Sequence, residues 1–316
     1  MQLTRTKKIP KSKSQSAMEY LMTYGWAILI IAVVLGVLFQ LGVFSGSALT
    51  PRAQPGGCQV VRFAGQVSLE GECQGQLPQY VMSFNAVVPW WGFTVLSSSS
   101  LDTAWDGSSW TLSAWIFVNN SDGSIFLMGE NAGCISGSYI VNQTSTGFST
   151  TVDTWNGPAG NCGTGTVQQD YSSGLMPFNK WDFTLSTVHY SPSGNSWIAV
   201  CYNGHCSNET YTLSGPPSDY VGDYSEMEFG SNRCCGSGFD SGYIANVQLY
   251  NTSLSANEIL ALYQEGIGGT PIKLQNIVGW WPLNGNIQDY SGNNNNGQVQ
   301  GNAAFNGSWQ GDYTPP

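Results

Sequence analysis

The sequence predicts a mainly β protein, a β-sandwich preceded by an N-terminal transmembrane α-helix. Three observations carry this. Short runs of alternating apolar and polar residues recur between Gly- and Asn-rich turns through most of the chain. One capped helix interrupts them after Leu254. Residues 20–44, a stretch of 25, hold neither a charge nor a proline, and about 20 apolar residues suffice to span the hydrocarbon core of a bilayer.

Composition agrees. The chain has 316 residues, of which 41% are apolar and 39 are glycine, so a sizeable core and many tight turns are available. Only 9% are charged, against roughly 25% in ordinary soluble domains. Arg5, Lys7, Lys8, Lys11 and Lys13 are half of the 10 basic residues and precede the first acid, Glu19. Beyond Ser14 five basic residues face 20 acids, a net charge of −15. Such a body repels nucleic acid, which requires a basic footprint, and that class of partner is excluded.

The N-terminal segment comes first. Its run Trp26–Leu35 is apolar on every side, as for a helix surrounded by lipid or other apolar matter. Basic residues before it and none soon after place the N-terminus in the cytoplasm and the C-terminal bulk outside, in a single pass. A permanent signal anchor fits, as does a secretory signal cut near 45–48, although 25 residues exceed an h-region of 7–15. A third reading rests on the string Ser14-Gln15-Ser16-Ala17-Met18-Glu19-Tyr20-Leu21. It resembles the class III signal peptide of archaeal type IV pilin-like proteins. The resemblance implies a prepilin-type signal peptidase that cuts between Ser14 and Gln15, with Ser14 standing where Gly is usual. Glu19 becomes the fifth mature residue, and a carboxylate at that depth needs a partner. The new α-ammonium at Gln15 of a neighbouring subunit in a filament supplies one. The expected plan is a leader at 1–14, a helix at 15–44, a linker at 45–57, a sandwich at 58–268 and a C-terminal segment at 269–316.

All eight cysteines lie beyond the helix, which suits disulfides in an exported body. In Cys201-Tyr202-Asn203-Gly204-His205-Cys206 the Asn-Gly pair is a strong two-residue hairpin signal. Cys201 then faces Cys206 in a non-hydrogen-bonded pair about 4.5 Å apart, within disulfide reach. Cys58 pairs with Cys73 on proximity. Adjacent Cys234 and Cys235 are too close for an unstrained mutual bond, so separate bonds to Cys134 and Cys162 are preferred. A zinc site is the weaker alternative, because no CxxC is present and only His189 and His205 are available.

The strands follow in order. Trp110–Val118 carries Leu112, Ala114, Ile116 and Val118 on one face and Trp115 and Phe117 on the other, which predicts a central strand. Trp181–Leu185 alternates cleanly and reads as half buried. Residues 196–202 pair with 205–213 through the Asn-Gly turn, and Tyr243–Tyr250 is a further strand. The body's one expected helix starts with a capping box, Ser255 at the N-cap and Glu258 at N3, stapled by Leu254 and Ile259. Ile259, Leu262 and Tyr263 form its buried stripe, and Gly266 ends it.

Phe229-Gly230-Ser231, Gly242–Asn251, Leu254–Ile259 and Leu262-Tyr263 together resemble the end of a LamG-like, concanavalin A-like domain, and Trp110–Val118 resembles its early central strand. The resemblance implies a jelly-roll β-sandwich that binds glycans or other surface ligands. Val278–Gly285 with Asp289-Tyr290-Ser291-Gly292-Asn293 resembles that family's opening segment, yet follows its closing helix. Either a second copy begins there, or, as we expect, the tail completes the sandwich.

Candidate chemistry is sparse. Glu226 and Glu228, two apart on a strand, could serve as the paired carboxylates of a glycosidase, but Met227 stands where the related hydrolases carry a third acid. No GxSxG, HExxH or phosphate-loop motif occurs, so an enzyme is not expected. Trp105 beside Asp106 and Trp155 beside Asn156 suit stacking on sugar rings with polar neighbours for the hydroxyls. Asp289, Ser291 and Asn293 offer alternating oxygens for Ca2+; otherwise no cofactor is expected. Sequons at Asn119, Asn142, Asn208, Asn251 and Asn306 suit glycosylation of an exported surface. The expected protein is a cell-surface, pilin-like or membrane-anchored adhesin; an anchored glycosidase and a purely structural filament subunit are the alternatives.

Overall fold

A computed structural model of the chain describes residues 14–40, 59–63, 66–70, 77–85, 92–95, 98–105, 109–119, 123–128, 130–131, 134–135, 138–143, 147–153, 166–171, 179–191, 193–211, 227–229, 241–301, 303–310 and 313–316. The chain forms two units, residues 1–52 and 53–316.

The first unit contains the helix α1 (Ser14–Gln40), 27 residues long. Ser14, Gln15 and Glu19 lie in its first turns. Where its side chains are described, from Met22 to Val37, large apolar groups such as Trp26, Ile28 and Ile31 are more than half exposed. Among the described residues no helix is long and apolar enough to cross a membrane.

The second unit opens with the hairpin β1 (Gln59–Phe63) and β2 (Gln66–Glu70). β3 (Val81–Asn85), β4 (Gly92–Val95), a short helix α2 (Ser99–Trp105) and β5 (Ser109–Val118) follow. Next come β6 (Gly123–Met128), β7 (Glu130–Asn131), β8 (Cys134–Ile135), β9 (Ser138–Gln143), β10 (Gly147–Asp153) and β11 (Thr166–Tyr171). β12 (Trp181–His189), β13 (Ser196–Tyr202), β14 (His205–Tyr211), β15 (Met227–Phe229) and β16 (Ser241–Tyr250) lead to α3 (Ala256–Gln264). β17 (Ile277–Trp281), β18 (Gly297–Gln300) and β19 (Ala304–Asn306) complete the order.

Among the described residues these strands build two large antiparallel sheets. One runs β14-β13-β12-β5-β16-β3-β19, with β17 also paired to β16; the other runs β11-β10-β9-β6-β15-β4-β18. Beyond the consecutive runs β12-β13-β14 and β9-β10-β11, neighbours in each sheet are distant in sequence, as in a jelly roll, where the chain crosses between layers. The segment from β17 to β19 adds strands to both sheets, through β16, β4 and β3.

β5 sits between β12 and β16 and is buried on both faces. Leu112, Ala114, Ile116 and Val118 pack in the inter-sheet core against Val95, Met227 and Phe229. Trp115 and Phe117 pack on the outer face with Trp181, Phe183, Ile259, Leu262 and Trp309. The alternation of the sequence is thus realised on both sides.

Two expectations need correction. Trp181–Leu185 is not half buried: β12 is buried at every position from Trp181 to Val188. The helix and C-terminal segment cover the outer face, so the intervening Thr and Ser residues face the other core instead of water. Thr184 Oγ1 accordingly donates to the Ala114 carbonyl at 3.3 Å. The body also has a second helix, α2, in a Ser-rich stretch that reads as loop. Ser98 Oγ accepts the Leu101 N–H at 3.3 Å, and Leu101 and Ala104 enter the inter-sheet core.

A buried polar chain ties the outer layer together. Trp280 Nε1 donates to Asn246 Oδ1 at 2.9 Å, and Asn246 Nδ2 donates to the Gly269 carbonyl at 2.8 Å. Gln248 donates through Nε2 to Asn246 Oδ1 at 3.0 Å, and its Oε1 accepts the Tyr250 hydroxyl. Burial holds the Tyr250 phenol well above its usual range, so it stays a donor.

Candidate functional site: a cleft beside the Asn-Gly hairpin

The site begins with the turn that joins β13 to β14. Asn203 and Gly204 have φ of 47° and 79°, the left-handed pair of a type I′ turn. A Cβ at Gly204 would lie 2.8 Å from the Tyr263 ring, so the hairpin tip rests closely on α3. Cys201 stands opposite Cys206 and forms the expected disulfide, with Cα atoms 4.0 Å apart. Asn203 also reaches back to β12: its Oδ1 accepts the Phe183 N–H at 2.8 Å and its Nδ2 donates to Asp182 at 2.9 Å. Burial lifts the Asp182 pKa, and the bonds from Tyr202 and Asn203 and the Lys180 charge offset only part of that.

The opposite wall is the start of α3. Ser255 Oγ accepts the Glu258 N–H at 3.4 Å, and the Glu258 carboxylate accepts the Ser255 N–H and O–H, each at 2.8 Å. This is the capping box the sequence specifies. Lys273 Nζ lies 2.9 Å from the other Glu258 oxygen. Burial raises the Glu258 pKa, but the bonds from Lys273 and Ser255 outweigh it and hold the carboxyl below its ordinary value.

Between the two walls lies a cleft of about 360 Å³, within the range of small-ligand sites. Ala199, Cys206, Leu254 and Ile259 supply apolar lining, and His205 and Ser255 supply polar groups. Trp197 forms a half-buried wall, its ring stacked on His189 at 5.6 Å with 30° between planes. His189 is itself held by Ser109 Oγ at 2.9 Å. The Trp197 indole N–H and the His205 imidazole have no hydrogen-bond partner among the described residues. An aromatic wall with free hydrogen-bonding groups above an apolar floor can hold an uncharged ring that has one apolar side.

Sequence reasoning missed this cleft. Its signal was an aromatic residue alternating with Ala199 and Cys201 on the strand that enters the Asn-Gly turn. Of the residues singled out for sugar stacking, Trp105 ends α2 instead of lying in a loop, because Ser98 caps a helix there. Its side chain, and Asp106, Trp155 and Asn156, lie outside the described residues. So do Glu226 and the cysteines 58, 73, 162, 234 and 235. Glu228 in β15 and Cys134 in β8 are described as backbone only.

The proposed calcium oxygens are engaged inside the protein. The Asp289 carboxylate accepts Trp280 N at 2.9 Å, Ser291 N and Oγ at 2.8 Å each, and Asn295 N at 2.9 Å. The single Ser291 hydroxyl proton is shared between Asp289 and the Val278 carbonyl, 2.9 Å away, and Asn293 Nδ2 donates to the same carbonyl at 2.8 Å. Burial raises the Asp289 pKa against those donors. The trio holds β17 in place, and among the described residues no group of three or more His, Cys, Asp or Glu is arranged to hold a metal.

Of the sequons, Asn251 is exposed, with Oδ1 accepting Asn276 Nδ2 at 2.9 Å. Asn306 is engaged at both ends, donating to the Tyr243 hydroxyl at 3.3 Å and accepting Ser308 N at 2.7 Å. Asn119 is half-buried just after β5, and Asn142 and Asn208 lie within β9 and β14.

No family model and no curated protein matches the chain. Solved structures do resemble it. A Bacteroides ovatus protein proposed to bind carbohydrate is 13% identical with a TM-score of 0.50, covering 78% of this chain and 65% of its own. The chain thus spans less than two thirds of that protein's length. A heptameric pentraxin from Limulus polyphemus is 10% identical with a TM-score of 0.41, covering 60% of this chain and 84% of its own. A Ruminococcus gnavus sialidase carbohydrate-binding module, solved with a sialyllactose, is 13% identical with a TM-score of 0.39, covering 57% of this chain and 97% of its own. At these identities the likeness concerns fold alone. Residues 53–316 form a jelly-roll-like sandwich of two antiparallel sheets.

Proposed function

We propose that the protein is a cell-surface adhesin, held by α1 in a membrane or filament and presenting a β-sandwich that binds glycans in the Trp197 cleft. The cleft carries the proposal: a half-buried aromatic wall, two groups without a hydrogen-bond partner among the described residues and an apolar floor lie together. The carbohydrate binding proposed for the Bacteroides ovatus protein of similar fold is consistent with it. Anchoring is supported by the exposed apolar side chains of α1, which on a lone helix in water would have no cover. In this reading a prepilin-type peptidase removes residues 1–14, the helix enters lipid or a filament core, and Glu19 pairs with the α-ammonium of Gln15. We propose no catalytic step.

The test is retention of the full chain, in detergent micelles, on a printed glycan array. Binding that Trp197→Ala abolishes supports the proposal; no retention, or retention indifferent to that change, overturns it. Terminal sequencing of the mature protein should start at Gln15; Met1 or a residue near Leu49 would contradict the processing.

A further inference from the structure

We infer that the Trp197 cleft selects an uncharged sugar bearing a methyl group, an acetamido or 6-deoxy hexose, over a bare hexose or a charged sugar. This rests on the glycan-binding reading and concerns what the same site prefers.

The argument starts with the polar groups that are taken. Ser255 and Glu258 satisfy each other in the capping box, and Lys273 is held by the second Glu258 oxygen. Ser255 and the Glu258 oxygen that caps it are not available to a hydroxyl without breaking the start of α3, and Lys273 is not among the residues that line the cleft. What remains is the Trp197 indole N–H and the His205 imidazole, enough for a few ring hydroxyls. Ala199, Leu254 and Ile259 are buried, and the disulfide sulfur of Cys206 is a poor hydrogen-bond partner. A hydroxyl pressed onto that floor would lose its water without replacement, whereas a methyl loses nothing. An acetamido or 6-deoxy group presents that methyl.

Charge points the same way. Among the described residues no Lys or Arg lines the cleft, and the chain beyond Ser14 carries a net −15. An anionic sugar would enter against that field with no cation to receive it.

The experiment is calorimetric titration of the full chain in detergent micelles with N-acetylglucosamine, fucose, glucose, galactose and sialyllactose. The first two should bind at least about tenfold tighter than the parent hexoses, the range one methyl in an apolar pocket supplies, and Trp197→Ala should remove the difference. Trp197→Phe keeps a ring but deletes the N–H, and should weaken all sugars alike. Glucose binding as tightly as N-acetylglucosamine, still dependent on Trp197, would overturn the selectivity and leave glycan binding standing. Sialyllactose binding tightest would also overturn it. If no sugar binds in a Trp197-dependent way, the selectivity and the glycan reading fall together.

Discussion

On one face of β5, Leu112, Ala114, Ile116 and Val118 lie in a mainly aliphatic cluster whose rings are Trp110, Phe229 and Trp281; on the other, Trp115 and Phe117 join a ring-rich cluster with Trp181, Phe183, Tyr250 and Trp309. The inner face lies between two pleated sheets, a space filled mostly by branched side chains with a few rings among them. The outer face lies under a helix and irregular segments at uneven distance, which large rings fill. Irregular segments also bring peptide groups that must be bonded, hence the chain from Trp280 through Asn246 to Gly269 and the four donors on Asp289. Trp115, Trp181 and Trp309 have buried indole N–H groups without acceptors among the described residues. They stand edge-to-face with other rings, Trp115 with Tyr313 at 75° and Trp181 with Trp309 at 80°, an arrangement suited to N–H···π contacts. The cleft opens beside Trp197, between this outer helix and the hairpin, so the candidate site belongs to the irregular layer.

The comparison can be broken first by truncation. Trp181→Ala on the outer face should cost about 3–5 kcal/mol and Leu112→Ala on the inner face about 2–5, measured by chemical denaturation. A cost below about 1 kcal/mol for Trp181→Ala would make the outer layer a loose cover.

Next in size is Asp289→Asn, which sets an amide among four donors and should destabilise by about 2–3 kcal/mol in the same measurement. Ser255→Ala removes one half of the capping box and should cost about 1 kcal/mol, read from the thermal midpoint. Its acid sensitivity has a definite sign. The Glu258 pKa is lowered on folding, so the box stabilises above the ordinary carboxylate range and that part fades as pH falls through it.

Asp182 has the opposite sign. Its folded pKa is raised, so its contribution favours the fold at low pH and is lost as pH rises from the ordinary carboxylate value through the folded one. Asp182→Asn should remove that downward slope, compared by denaturation at mildly acidic and neutral pH. The smallest stability effect, under about 1 kcal/mol, is expected for the half-buried Trp197→Ala, although it should abolish ligand retention. Equal losses of stability and binding would make Trp197 a packing residue.

What the sequence shows well is local. The two-faced pattern of β5, the Asn-Gly turn with its cross-strand disulfide, and the capping box of α3 each rest on residues within about ten positions, where periodicity and turn chemistry act directly. The covered state of β12 was not legible, because Thr184 and Ser186 look like a solvent face until another layer lies over them. Nor was the role of Asp289, whose alternation with Ser291 and Asn293 suggests a cation until the N–H groups of Trp280, Ser291 and Asn295 take its oxygens. The cleft joins Trp197 to Leu254 and Ile259 across a long stretch of sequence, and no local pattern reports such a meeting.

The central claim is the position of the binding site. Hydrogen–deuterium exchange of the full chain with and without N-acetylglucosamine tests it most directly. The account predicts slowed exchange confined to 196–206 and 254–259. Protection confined to 99–106 or 150–156, with the hairpin and the start of α3 unchanged, would contradict it.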